Sequence, residues 1–157
     1  MLTFDQLCRG LDVDVSAFAI CEVRQDSAFV LAEDEKTAVH YVLTGKGVAY
    51  RATGESVELA PHTVMIVPPG SRLTIANEFD QRFHFAAPKC DPINEEWDLL
   101  TVGNALPGLT LACGFVQAQF MQVTKLFQYL REPLIESVID DRSFREPFHH
   151  LLEELAE

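Results

Sequence analysis

Two neighbouring stretches decide the fold: His40-Tyr41-Val42-Leu43-Thr44-Gly45-Lys46-Gly47 and Leu59-Ala60-Pro61-His62-Thr63-Val64-Met65-Ile66-Val67-Pro68-Pro69-Gly70. Each begins with or contains a short, apolar, β-prone run and ends in a turn. The first turn is bounded by two glycines and the second is the break Pro-Pro-Gly. The pair therefore predicts two short strands that end in tight turns.

The same pattern continues outward along the chain in both directions. Short β-prone runs alternate with turn signals at roughly 8–12-residue spacing, which is typical of an all-β sandwich or barrel. No helical crossover lies between them, which disfavours a parallel α/β sheet. The further runs are Ala17–Arg24, Ala28–Ala32, Val48–Ala52, Ser56–Leu59, Arg72–Ala76, Arg82–Ala87, Leu99–Val102 and Leu109–Val116.

The spacing of apolar residues changes near residue 118 and predicts helices for the rest of the chain. One apolar stripe at helical spacing continues to Ile139, with Pro133 expected to kink or restart the helix. A second helix is expected after a cap at Ser143, with Glu146 completing a capping box. We assign these helices to dimerisation or to packing on the barrel. The dimerisation candidates are Phe120, Val123, Leu126, Phe127 and Leu130.

Composition limits the classes of function. The chain has 157 residues, 12 Lys and Arg against 24 Asp and Glu, and a formal net charge of -12. This charge disfavours contact with nucleic acid or an anionic membrane, although it is also explained by solubility alone. No signal peptide is recognised, so we expect a cytoplasmic protein. The four cysteines form no CxxC pair, which favours free thiols over disulfides or a zinc site.

The two opening stretches, closed by Asn77, resemble the paired conserved segments of cupins. Within cupins the sequence is most similar to the N-terminal domains of AraC-type transcription regulators, in the branch with a Cys-Gly segment, here Leu111–Phe115. The resemblance covers roughly residues 15–157. It implies a mainly β fold, a cupin-like double-stranded β-helix (jelly-roll) barrel, followed by C-terminal α-helices. Residues 1–118 would form the barrel with an N-terminal arm, and residues 119–157 the helical segment of the same domain.

The departures from the cupin pattern concern the metal site. Enzymatic cupins hold their metal with an H-x-H pair, a Glu and a later His, as the resemblance implies. Here Ala38 lies about where the Glu should be and Leu73 where the His should be. Neither side chain has a donor atom for a metal. We therefore expect no metal, no cofactor and no enzymatic activity. His62 also replaces a glycine of the usual turn.

Five residues are candidates for contacting a ligand: His40, Tyr50, Arg72, His84 and Cys113. His40 shares a strand face with Ala38 and Val42, which the family register makes the interior; it is a ligand contact or a core histidine bonded to backbone. Tyr50 offers the pocket a polar tip, and Arg72 is either a partner for an anionic ligand or a solvated rim residue. His84 is a second polar group or faces solvent, and Cys113 is a reactive or a buried inert thiol.

Three functions remain open from the sequence. The first is a ligand-sensing and dimerising domain of an AraC-type regulator, with an unknown small-molecule effector and DNA contacted through a helix-turn-helix pair that these residues do not contain. The second is a stand-alone small-molecule-binding cupin, and the third a metal-dependent cupin enzyme. The chain stops within the pattern Leu151–Glu157, which indicates either a fragment or a frayed terminus.

Overall fold

Two β-sheets make up this protein in its computed structural model, which describes Arg9 and residues 11–32, 35–77, 83–95, 97–120 and 124–140. The mainly β class is confirmed. The strands are β1 Leu11–Arg24, β2 Ser27–Ala32, β3 Thr37–Thr44, β4 Gly47–Arg51, β5 Ser56–Leu59, β6 Thr63–Val67, β7 Arg72–Ala76, β8 His84–Phe85, β9 Lys89–Pro92, β10 Asp98–Val102, β11 Pro107–Phe120, β12 Thr124–Lys125 and β13 Leu134–Ser137.

The large sheet has eight strands in the order β13-β6-β3-β11-β1-β10-β9, with β12 paired to β11. The small sheet has five in the order β5-β4-β7-β2-β8. Within the described ranges these sheets remain separate, so the expectation of a closed barrel is not met. The reason is that alternation identifies strands and their faces, whereas closure depends on hydrogen bonds between strand edges far apart in sequence.

The core lies between the two sheets and contains side chains from both. Along β6, Thr63, Met65 and Val67 are buried while Val64 and Ile66 are half-buried. On β3 the residues Ala38, His40 and Val42 face the core, as predicted from their alternation. The opposite sheet supplies Phe29, Ala49, Leu73 and Ile75.

A second, smaller apolar cluster covers the outer face of the large sheet. It contains Tyr41 and Leu43 of β3, and the half-buried Trp97 packs against it. The Tyr41 hydroxyl lies 2.5 Å from Nδ1 of His62. His62 has φ of 68°, a left-handed conformation that favours glycine and that few other residues adopt. It lies in the turn between β5 and β6.

The predicted helix over residues 120–139 is wrong for the part that the structure describes. β11 runs through residue 118 to Phe120, a 3₁₀ turn occupies Leu126–Tyr129, and Leu134–Ser137 pair with β6. Pro133 has no amide hydrogen to continue a helix, and the open edge of β6 offers the next residues a sheet partner. Short apolar runs fit both the helical and the strand periodicity, so the pairing with β6 determines that Leu134–Ser137 form a strand. The predicted final helix lies outside the described residues. No helix among the described residues is long and apolar enough to cross a membrane.

Leu73 illustrates how strongly the core depends on one position of the small sheet. Its side chain is 0% exposed. We expect Leu73→Ala to lower the free energy of unfolding by about 2–5 kcal/mol, because it removes buried methyl groups and leaves a void. Urea denaturation would measure this. Thr74→Ala is the matched control, since the neighbouring Thr74 is only half-buried, and a loss as large as that of Leu73→Ala there would contradict this assignment of the two faces.

Candidate functional site

An apolar cavity of about 240 Å³ lies between the two sheets. Strands β1, β2, β3, β10 and β11 contribute to its walls, together with the segment before β9. Among the residues that the structure describes, no Lys, Arg, Asp or Glu side chain lines this cavity, and its polar groups are those of His40 and two cysteines. The lining residues are Ala19, Cys21, Phe29, Val30, Leu31, Ala38, His40, Val67, Pro88, Leu100, Cys113, Gly114 and Phe115.

His40 is the most polar group of this cavity. It lies on β3 with Met65 of β6 on one side and Cys113 of β11 on the other, as the strand registers require. Its side chain is 5% exposed, and neither ring nitrogen has a hydrogen-bond partner. Burial lowers the pKa of His40 to about 4. At neutral pH the cavity therefore contains an uncharged imidazole with one free donor and one free acceptor.

Cys113 lies at the same cavity in direct contact with a second thiol. Its Sγ donates a hydrogen bond of 2.9 Å to Sγ of Cys21 on β1, and both residues are buried. Burial, followed by the contact with Cys21, raises the pKa of Cys113 well above its usual value. Cys113 is therefore a protonated thiol at neutral pH. Sequence reasoning did not identify Cys21, because only the pairing of β1 with β11 brings the two cysteines together.

Tyr50 and Arg72 lie elsewhere, on a groove of the small sheet that they share with Val30 and Thr74. The Tyr50 ring packs against Phe83, with ring centroids 5.8 Å apart. This groove has a volume of about 250 Å³ and is separate from the cavity, although Val30 borders both. Arg72 also lines an adjoining groove.

His84 lies in neither place, because it is exposed on the two-residue strand β8. The five predicted ligand contacts are therefore divided among three locations. The structure brings together His40 and Cys113 at the cavity, and Tyr50 and Arg72 on the groove.

The predicted dimerisation residues do not form one helical face. Phe120 ends β11, Leu126 and Phe127 belong to the 3₁₀ turn, Leu130 follows it, and Val123 lies outside the described residues. Of these, Phe127 and Leu130 are half-buried. The continuous apolar stripe expected from their spacing requires a helix that the described residues do not form.

Two residues that the cupin resemblance aligns with metal-ligand positions belong to the core. Ala38 and Leu73 are both buried among apolar side chains. Within the described ranges no three His, Cys, Asp or Glu side chains are grouped closely enough to hold a metal ion.

No family model matches the sequence, and no curated protein matches it. One solved structure, a point-substituted apo form of ToxT from Vibrio cholerae strain SCE256, is similar in part. The TM-score is 0.45 at 8% sequence identity, and the alignment covers 87% of this chain and 45% of that chain. This chain thus spans less than half the length of the ToxT chain.

The buried state of His40 predicts a specific dependence of stability on pH. Because the pKa of His40 falls from its ordinary value of 6.5 to about 4 on folding, the unfolded chain binds a proton in this range and the folded chain does not. The contribution is complete above about pH 6.5 and is lost as the pH falls towards 4, amounting to about 3 kcal/mol. Urea denaturation across this range measures it.

Two variants isolate that contribution. His40→Leu should have a flatter pH dependence than the wild type between about pH 6.5 and 4, since it removes the titrating group. His84→Gln, which removes an exposed histidine, should leave the wild-type dependence in place. Parallel curves for the wild type and His40→Leu would show that His40 is not buried in its neutral form.

Proposed function

We propose that this protein is the effector-sensing domain of an AraC-type transcription regulator and that the cavity at His40 binds the effector. One observation carries the proposal: a buried imidazole with two unsatisfied nitrogens faces an apolar cavity. Buried polar atoms are nearly always hydrogen-bonded, and an unsatisfied group costs roughly 1–3 kcal/mol. A ligand with one hydrogen-bonding group would satisfy one ring nitrogen of His40 while its apolar part fills the cavity.

The lining defines the chemical class of this effector. With no charged side chain at the cavity and a neutral His40, an ionised ligand would be desolvated without a counter-charge, at a cost of several kcal/mol. The volume of about 240 Å³ is below the usual range for drug-sized ligands, which begins near about 300 Å³. We therefore infer a small, neutral, mainly apolar effector, of the size of a substituted aromatic ring, with one hydroxyl or carbonyl group.

The regulator assignment rests on the sequence resemblance and is consistent with the charge. A chain with a net charge of -12 is poorly suited to phosphate contacts, so DNA recognition in this proposal belongs to a separate helix-turn-helix part. In such an arrangement the β-domain binds the effector, and binding changes the surface that the β-domain presents to the helix-turn-helix part. This role needs a selective pocket and no reacting group.

Three small probes test the cavity: benzene, phenol and benzoate at equal concentration. We expect phenol to raise the melting temperature most, benzene less, and benzoate not at all. At about 100-fold excess over Kd, phenol should add on the order of 5 °C. Differential scanning calorimetry measures all three. In His40→Leu the preference for phenol over benzene should disappear, because the hydrogen bond is lost.

Two controls separate cavity binding from binding elsewhere. Ala38→Val should reduce binding of phenol and benzene alike, because Ala38 lines the cavity and the larger side chain occupies its volume. His84→Leu should change neither, since His84 is exposed on β8. Equal shifts for phenol and benzoate in the wild type, or unchanged phenol binding in both cavity variants, would refute the proposed effector site.

Dimerisation is part of the proposal, and the exposed edge of the large sheet supports it. β13 is an edge strand, and it carries Leu134, 40% exposed, with Tyr129 and Ile139 exposed on the flanking segments. Apolar edge strands pair readily with another chain. We infer that two copies associate along this edge.

Sedimentation velocity at about micromolar to high-micromolar concentration tests the dimer. We expect a concentration-dependent dimer in the wild type, weakened at least about tenfold by Leu134→Lys, because a charge on an edge strand opposes pairing. Leu106→Lys is the matched control, with the same substitution at a 70% exposed leucine of the β10–β11 loop. A strict monomer, or equal weakening by both variants, would remove this part of the proposal.

A further inference from the structure

Cys21 and Cys113 are placed as a pair of thiols at the wall of the cavity. Their Sγ atoms are 2.9 Å apart, and the residues are 3% and 6% exposed. In the register of β1 and β11, Cys113 faces Ala19 and Cys21 faces Leu111, so the two cysteines are diagonal neighbours on the same face. They are separated by 92 residues in the sequence. A disulfide requires Sγ atoms about 2.05 Å apart, so closing the bond takes a movement of roughly 1 Å.

We propose that Cys21 and Cys113 form a reversible disulfide on reaction with a small two-electron oxidant of the hydroperoxide class. A route for such an oxidant exists because both cysteines line the cavity, whose rim includes the exposed residues Val30 and Pro88. Hydrogen peroxide is little larger than water and fits this space. A bulky disulfide such as oxidised glutathione exceeds it, which makes the site selective by size.

The contact between the thiols and the burial of Cys113 assign the order of reaction. Sγ of Cys113 donates a hydrogen bond to Sγ of Cys21, which holds the two sulfur atoms in contact. Burial raises the pKa of Cys113 and keeps it a thiol, so in this proposal Cys21 attacks first. Sγ of Cys21 attacks one peroxide oxygen, the O–O bond breaks, and the departing hydroxide takes the Cys21 proton and leaves as water. Cys21 is then a sulfenic acid.

The second step closes the bond. Sγ of Cys113 attacks the Cys21 sulfur, the S–S bond forms and the S–O bond breaks, and the leaving hydroxide takes the Cys113 proton as a second water. In total, two thiols and one peroxide give one disulfide and two waters. The thiols lose two electrons and the peroxide gains them. A dithiol reductant reverses the reaction by exchange.

Oxidation would also change the effector cavity, and this consequence alone rests on the proposed function. Joining the two sulfurs moves both toward each other in the wall and removes two S–H groups next to His40. The cross-strand neighbour of His40 is Cys113 itself, so the movement of the Cys113 sulfur changes the cavity wall beside the imidazole. We expect the oxidised protein to bind phenol more weakly than the reduced protein.

Cys90 provides the matched control, because it is exposed on β9 and is not among the lining residues of the cavity. The full chain is treated with hydrogen peroxide or with oxidised glutathione, alkylated in denaturant and mapped by mass spectrometry. With peroxide, we expect a linked Cys21–Cys113 peptide in the wild type and in Cys90→Ser, lost after reduction. With oxidised glutathione, we expect modification of Cys90 and no such link. Cys113→Ser should give no linked peptide and an alkylatable or sulfenylated Cys21.

Two readouts keep this inference distinct from the proposed function. If both Cys21 and Cys113 remain alkylatable after peroxide treatment of Cys90→Ser, the disulfide is refuted, independently of whether phenol raises the melting temperature. If phenol fails to stabilise the reduced protein, the effector site is refuted, independently of whether the Cys21–Cys113 link forms. If the link forms and phenol stabilises both forms equally, oxidation does not control the cavity. Cys113→Ser, treated with the same peroxide, shows whether any loss of phenol binding requires the bond.

Discussion

The close backbone approach at Gly45 and Gly47 is the constraint on which the two-sheet arrangement depends. This turn takes the chain from β3 in the large sheet to β4 in the small sheet. A Cβ atom at Gly45, where φ is 85°, would lie 1.9 Å from the Gly108 carbonyl oxygen, and one at Gly47 would lie 2.5 Å from the oxygen of Ala76. Only glycine lets the backbones pass this closely. The two sheets can face each other because the chain changes sheets here without a longer loop.

Once β3 is fixed by this turn, the cavity follows from alternation. The strand is paired on both sides, by β6 and by β11, so its register cannot slip without moving three strands. A shift by one residue would bring Tyr41 to the cavity and His40 to the outer face. The central position of β3 therefore determines which side chain a ligand meets.

Features that depend on neighbouring residues could be predicted from the sequence. Contacts between residues far apart in the chain could not. Most strand positions and the inward direction of His40 follow from alternation and turn residues near each strand. Three features depend on partners many tens of residues away in the chain. They are whether the sheets close into a barrel, the pairing of Leu134–Ser137 with β6, and the contact of Cys21 with Cys113. Residues 120–139 show most clearly where prediction from sequence fails. Their apolar spacing fits a helix, but the described part of this segment pairs with the edge of a sheet instead.

The cavity brings together His40, which is uncharged at neutral pH, and two cysteines whose sulfur atoms are in contact, and the state of His40 has an energetic consequence. An imidazole without partners destabilises the empty domain, while a ligand that bonds it stabilises the domain in proportion to RT ln(1 + [L]/Kd). In the proposed function, ligand binding and stability are thereby coupled through His40. The domain would then respond to a bound ligand through β3, which carries both the imidazole and the pairings to β6 and β11. The same strands, β1 and β11, hold the thiol pair, so a change of oxidation state and a change of occupancy would act on one set of contacts.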